Sequence, residues 1–315
     1  EGTVYPLNDT FFPTIDPNNP YELTEDERAV MNSLSASIIN SERLQTHIRY
    51  MFSHGALYKR INGNLLFHGC IPMDENGDFL PVDIYGAKCA GRALMEHLDK
   101  QIRASYFTPE KIKKYGKPGD LMWYLWLAKD SPLFGKEKMT TFERLFIDDK
   151  ASHKEHVRPY YKLINSKEPC EKILREFGLD PSHSKILNGH VPVKIKNGES
   201  PIKGGGLLYV IDGGISKAYQ KQTGIAGYTF IFNSRFMALA EHKPYEPLRE
   251  DGTQKFFSPS MKTVDTLKTR MLVIDTDEGA ELLRQAEAVK RLVEAYKTGE
   301  IKERPEGKYS AYKGK

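Results

Sequence analysis

Cysteine is scarce: Cys70, Cys89 and Cys170 are the three in 315 residues, and they form neither a C-x-x-C pair nor a regular framework. That spacing argues against a disulfide scaffold and a zinc knuckle, and it fits a reducing cytoplasm. Long apolar runs are missing too. The longest, such as Leu207-Leu208-Tyr209-Val210-Ile211, are strand-sized, far below the roughly 20 residues that cross a bilayer, so no membrane segment is expected. Neither sign of charge dominates: 46 Lys and Arg against 42 Asp and Glu leave +4. Without a concentrated basic block, nucleic acid is not an expected partner. The chain opens Glu1-Gly2-Thr3 with no Met, basic n-region or apolar h-region. A signal peptide is therefore not expected, and the start reads as processed or cut from something longer.

The composition that remains is ordinary for a folded, soluble protein, 39% hydrophobic, 28% charged and 11% aromatic, sufficient for a core in one extended domain or a domain with an appendage. Pro6, Pro13, Pro17 and Pro20 make residues 5–21 an ordered loop. Thr24-Glu25-Asp26-Glu27 is a capping box that opens a helix to about Asn40, with Ala29, Val30, Leu34 and Ile38 as its apolar stripe. A second helix is expected from Ser41 to Ser53. Leu57 to Phe67 reads as a hairpin turning at Asn62-Gly63, which delivers His68 at a strand end. Ala90 to Tyr106 is helical by periodicity. Gly116 to Leu133, with Trp123 and Trp126, is a buried helix or strand that periodicity alone does not decide. Cys170 to Phe177 is a helix stopped by Gly178.

Four short runs, 185–187, 191–195, 207–211 and 227–233, are separated by glycine-rich turns and predict a sheet. Lys203 and Gly204-Gly205-Gly206 fit no phosphate-loop pattern and read as a hairpin connection. The last long element is a helix opened by Asp275-Thr276-Asp277-Glu278, with Leu282, Leu283, Ala286, Val289, Leu292, Val293 and Tyr296 on its apolar face.

Two histidines share a local pattern, a short apolar run followed by a His-Gly or Gly-His step: Leu65-Leu66-Phe67-His68-Gly69 and Ile186-Leu187-Asn188-Gly189-His190. Carboxyl ends of strands are where ligands collect in layered α/β proteins, and neutral imidazole is a common ligand of divalent metals. His68 and His190 are thus candidate metal ligands, with a hydrogen-bonded structural role as the plainer alternative. Asp212, after Val210-Ile211, is a third strand-end polar residue whose plainer role is an Asx turn. Lys136, Arg144, Lys194 and Lys203 are the candidate cations for an anionic substrate, a lysine as a point charge and Arg144 as a fork. The ordinary role of each is a solvated surface charge.

The segments Phe67-His68-Gly69-Cys70-Ile71-Pro72, 132–144 (Pro132-Leu133-Phe134-Gly135-Lys136 to Phe142-Glu143-Arg144), Asn188 to Lys194, Val210 to Gly214 and Thr223 to Thr229 resemble class 3 fructose-1,6-bisphosphatase, in that family's order. The resemblance runs from about Tyr5 to Arg304. It implies an α/β fold, part of the two-sheet αββα sandwich of the metallophosphoesterases with added helices. Residues 1–275 would form the carboxyl-terminal part of the catalytic domain, 276–304 a terminal helix and 305–315 a flexible tail.

The activity implied is metal-dependent hydrolysis of the 1-phosphate of fructose 1,6-bisphosphate, a gluconeogenic step. Hydroxide would attack phosphorus in line, with two divalent metals, Mn2+ or Mg2+, polarising the phosphoryl oxygens. His68 and His190 match the family's two later metal ligands. Its Asp-x-His-Gly, Gly-Asp-x-x-Asp-Arg-Gly and Gly-Asn-His-Asp motifs are absent from these residues. The implied partners are therefore the sugar bisphosphate, an amino-terminal half carrying those motifs, and further copies in a homo-oligomer, with this chain inactive by itself. Two other readings stay open: a phosphoprotein or dinucleoside-polyphosphate hydrolase, and a non-catalytic partner of the amino-terminal half.

Overall fold

The Thr24 signal does what its chemistry requires. In the computed structural model, which describes residues 2–109, 117–212, 214, 216–224, 227–243, 251–252 and 259–302, the Thr24 hydroxyl accepts from the Glu27 N–H at 3.3 Å. The Glu27 carboxylate accepts from the Thr24 N–H at 2.9 Å. This box opens α1 (Glu25–Ile39), and the Ser41 hydroxyl caps α2 (Glu42–His54). The apolar stripe of α1 behaves unexpectedly: Val30, Leu34 and Ile38 are all exposed, and α1 has no buried residue. Helix formation here follows from capping and propensity, with no core beneath the stripe among the described residues.

The hairpin forms as read. β1 (Tyr58–Ile61) and β2 (Asn64–Phe67) pair antiparallel, Tyr58 opposite Phe67, around Asn62 and Gly63, both with positive φ (47° and 75°), as a tight hairpin turn demands. A second hairpin, β3 (Val82–Ile84) and β4 (Ala87–Cys89), leads into α3 (Gly91–Phe107). The tryptophan segment is a helix, α4 (Lys117–Leu127). Its Leu121 and Leu125 join Val82, Ile84, Leu94 and Leu98 in one core cluster. Trp123 and Trp126 face outward, 60% and 63% exposed and edge to face with each other. The expectation that this aromatic stretch is buried is thus corrected: the i, i+4 leucines take the inner face, and the tryptophans point away from it.

After α5 (Thr141–Phe146), α6 (Tyr160–Leu163) and α7 (Lys167–Glu176), Gly178 turns the chain with φ of 69°. β5 (Ile186–Asn188), β6 (Ile202–Lys203) and β7 (Leu208–Val210) complete a sheet of order β1-β2-β5-β7-β6. Its centre is parallel: Leu66 pairs with Leu187, and Leu187 with Tyr209. The glycines at 204–206 do connect a hairpin, β6 to β7. Residues 191–195 are not a strand. His190 has φ of 69° and Pro192 lacks an N–H, so the segment leaves the ladder and enters a 3-10 turn at Ile195.

α8 (Lys217–Thr223) precedes β8 (Gly227–Phe232), which joins β9 (Phe236–His242) and β10 (Ser260–Thr266) in a separate sheet of order β10-β9-β8. The run expected at 227–233 therefore belongs to a different sheet from β5 and β7, and β9 and β10 went unread in the sequence. α9 (Asp277–Lys297) is capped by Thr276, whose hydroxyl accepts from Gly279. Asp275 accepts instead from the Leu272 N–H, and the apolar face of α9 is exposed. The chain forms two compact units, Glu1–Tyr228 with Glu241–Phe257 and Thr229–Ala240 with Ser258–Lys315. The tail expected at 305–315 lies outside the described residues. Among those described, no helix is long and apolar enough to cross a membrane. The architecture is α/β, with a parallel-centred sheet whose carboxyl ends carry both candidate histidines.

Candidate functional site

Three segments meet at the carboxyl ends of β2 and β5. The ladder between these strands is tied at its start by Asn64, whose side-chain oxygen accepts from the Lys185 N–H, and closes with the Gly189 N–H donating to the His68 carbonyl. The third segment is the loop at 131–136. It lies so near Gly69 that a Cβ there would stand 2.0 Å from the Pro132 carbonyl oxygen, and the Cys70 N–H donates to that same oxygen at 2.8 Å. Only glycine permits this approach. It brings the Phe134 carbonyl within 2.9 Å of His190 Nε2.

The two imidazoles come together as their matching contexts predict. His190 Nδ1 and His68 Nε2 are 3.3 Å apart, with the rings edge to face and their centroids 5.1 Å apart. When His190 donates its Nε2 proton to Phe134, the Nδ1 lone pair faces His68. The His68 pKa is lowered by partial desolvation first and by His190 second, while Asp212 pulls it upward. Its ring is still accessible to solvent. A neutral, accessible imidazole is the form that binds a metal.

The pair passes a simple test of fit. A divalent ion with metal–nitrogen bonds of about 2.0–2.1 Å and angles of roughly 90–110° separates two donor nitrogens by about 3–3.4 Å, and the observed 3.3 Å lies in that span. The backbone carbonyl on the far nitrogen of His190 is the outer-shell partner that metal-bound imidazoles carry. The described residues contain no group of three or more His, Cys, Asp or Glu that could hold a metal ion. His68 and His190 therefore offer two donors. Cys70 contributes no thiolate, because burial pushes its thiol up to about 12.

The remaining candidates are spread around the pair. Asp212 lines a cavity of about 530 Å³ with His68, Gly189, Lys59 and Tyr228, and its carboxylate accepts from the Gly214 N–H at 2.8 Å, the Asx turn of its plainer reading. Lys136 and His190 lie on the wall of a larger, mainly apolar cavity of about 620 Å³, with the Lys136 ammonium 2.7 Å from Glu155. Lys203 bonds Asn165 and lines a third cavity, about 370 Å³, with Gly189. Lys194 is exposed, and its backbone N–H donates to Glu199. Arg144 donates to the Thr140 hydroxyl and the His153 carbonyl. Neither Lys194 nor Arg144 lines these three cavities. Sequence reasoning read Gly69 only as the small neighbour that lets a ligand approach, and missed the Phe134 carbonyl and Asn188, because the backbone carbonyls that one supplies and the other binds leave no motif.

A parallel-centred α/β fold with paired imidazoles on adjacent strand ends presents a candidate strand-end ligand site, in the place where α/β proteins collect their ligands. The chain belongs to the firmicute fructose-1,6-bisphosphatase family, whose profile matches residues 1–298. It is 48% identical over 304 residues to a class 3 fructose-1,6-bisphosphatase of Fusobacterium nucleatum, covering 96% of this chain and 47% of that protein. Proteins of the same description from Clostridium botulinum and Clostridium tetani are 51% and 49% identical over 307 residues, with 96% of this chain and 46% of each covered. The chain thus spans about half the length of the curated relatives it matches. No solved structure matches it.

Proposed function

We propose that these residues form part of the site of a fructose-1,6-bisphosphatase that hydrolyses the 1-phosphate of fructose 1,6-bisphosphate to fructose 6-phosphate and phosphate. The observation that carries this is the 3.3 Å approach of His68 and His190 at neighbouring parallel strand ends in a chain of this family. His68 and His190 would hold a divalent cation, Mn2+ or Mg2+, and a second metal with its carboxylate ligands would depend on residues elsewhere in the relatives' length. Such a cation, when bound, supplies Lewis acidity to the phosphoryl oxygens.

The chain's own residues orient and bind. The Phe134 carbonyl holds the His190 tautomer, and Asp212 adds negative charge beside His68. Lys136, Lys194, Lys203 and Arg144 are the cations proposed for the two phosphates. Lys136 and Lys203 have the better claim, since each lines a cavity that also reaches the histidine loop. The five-stranded sheet would be one sheet of an αββα metallophosphoesterase sandwich. A cytoplasmic homo-oligomer acting in gluconeogenesis belongs to the same proposal.

The test is phosphate release from fructose 1,6-bisphosphate, titrated with Mn2+, by a protein of the relatives' length carrying His190→Ala. Loss of a direct ligand should exceed the roughly 10–100-fold effect of losing an outer-shell partner, so activity at limiting Mn2+ should fall by at least about 100-fold. Unchanged activity at limiting Mn2+ would remove His190 from the site, and equal turnover of a phosphoprotein substrate by the wild type would overturn the substrate assignment.

A further inference from the structure

We propose that Asn188 is a positioning residue for the His68–His190 pair, its buried side-chain amide holding the two strand ends at the separation where the imidazoles act together. The proposal rests on the metal reading above. The paired residues of the ladder between β2 and β5 end at Leu66 and Leu187, and one backbone bond follows, from the Gly189 N–H to the His68 carbonyl. Beyond it the two chains diverge, one toward Pro132 through Cys70, the other into the left-handed turn of His190. The imidazoles must nevertheless stay together. Asn188 bridges this gap: its Nδ2 lies 3.3, 3.0 and 2.7 Å from the carbonyl oxygens of Phe67, His68 and Gly69.

Asn188 is anchored from its other side. Its main chain pairs with Val210 of β7, and its carbonyl accepts from the Ile211 N–H at 2.9 Å. With 2% of its surface exposed, the side chain has no water to fall back on, and an amide turned over would aim its oxygen at three carbonyl oxygens. Two N–H groups therefore serve three acceptors, all on the segment that carries His68. Gly189 tightens the arrangement, since a Cβ there would stand 3.2 Å from His68 Nδ1. A residue needed only to finish the sheet would resemble Asn64, which ties the opposite end of the same strand pair with its side-chain oxygen on the Lys185 N–H. Asn64 is thus the natural control.

The experiment compares Asn188→Ala, Asn188→Asp and Asn64→Ala in a protein of the relatives' length. Asn188→Asp keeps the shape but sets an acceptor against the three carbonyls. Two readouts are taken, the affinity for Mn2+ by isothermal titration and, without metal at one fixed pH, the NMR signal of the ring N–H shared by His68 and His190. Both Asn188 variants should weaken Mn2+ binding 10- to 100-fold and lose the ring-proton signal, while Asn64→Ala with a comparable drop in melting temperature changes neither. Should Asn188→Ala not fold, Asn188→Ser, which donates one proton, should show an intermediate loss. Wild-type affinity and an intact ring signal in the Asn188 variants would overturn the proposal, as would Asn64→Ala reproducing both losses. If His68→Ala leaves Mn2+ binding unchanged, the metal reading fails, and the ring-proton comparison alone decides the role of Asn188.

Discussion

The strand ends around His68 and His190 and the long helices α1 and α9 treat their neighbours in opposite ways. At the strand ends polar groups tie distant segments together: Asn188 serves three carbonyls, the Phe134 carbonyl faces His190, and Glu155 gathers Lys136 and Thr140. Along α1 and α9 the caps are complete, yet Leu34, Ile38, Leu282, Leu283 and Val289 stand in solvent. A capped helix needs only its own residues to form, whereas a site requires segments far apart in sequence to meet. Buried polar groups must be satisfied or they destabilise the fold, so the strand ends tolerate little change and the helix faces tolerate much.

The largest effect should come from Gly69→Ala. The added methyl has no room against Pro132, and overpacking of this kind costs about 1–3 kcal/mol. Chemical denaturation should register that loss, together with displacement of the Phe134 carbonyl from His190. A variant as stable as the wild type would show that the 131–136 loop yields easily, and the strand ends would lose their claim to rigidity.

A smaller effect is expected from acid. Burial alone would raise the Glu155 carboxyl, but the Lys136 ammonium and the N–H and hydroxyl of Thr140 outweigh it and hold the pKa at about 2, below the usual 4.5. A depressed folded-state pKa contributes stability above the unfolded value and loses it as the pH falls through the folded one. The melting temperature should therefore decline between pH 4.5 and 2, and Glu155→Gln should flatten that decline. An unchanged profile would dissolve the Glu155 network as a feature of the region.

Leu34→Ser should matter least, within about 0.5 kcal/mol, as is usual for an exposed position. A loss well above 1 kcal/mol, or one that depends on protein concentration, would mean that the stripe of α1 is covered in solution and that the two regions are less different than they stand here.

Local signals were legible wherever one short segment decides its own structure. The Thr24 box, the Asn62-Gly63 turn, the Gly178 stop and the hairpin at 204–206 all formed as read, because capping and positive φ are settled within a few residues. Burial was less legible. The tryptophans of α4 and the stripe of α1 look like core by hydrophobicity, but what covers a helix face depends on elements distant in sequence. The run at 191–195 resembled a strand until the left-handed His190 took it out of the ladder.

The sequence by itself determined the helices with their caps, the hairpin turns, and two histidines in matching strand-end settings. Tertiary structure alone decided that those histidines, 122 residues apart, lie 3.3 Å from each other, that a carbonyl from the loop at 131–136 orients one of them, and that Lys194 and Arg144 stand away from the cavities beside them. The physical reason is the order in which contacts are made. Caps and turns are satisfied by groups within one turn of chain, while the pairing of β2 with β5 joins segments some 120 residues apart, and neither segment by itself sets the distance or orientation at which their side chains meet.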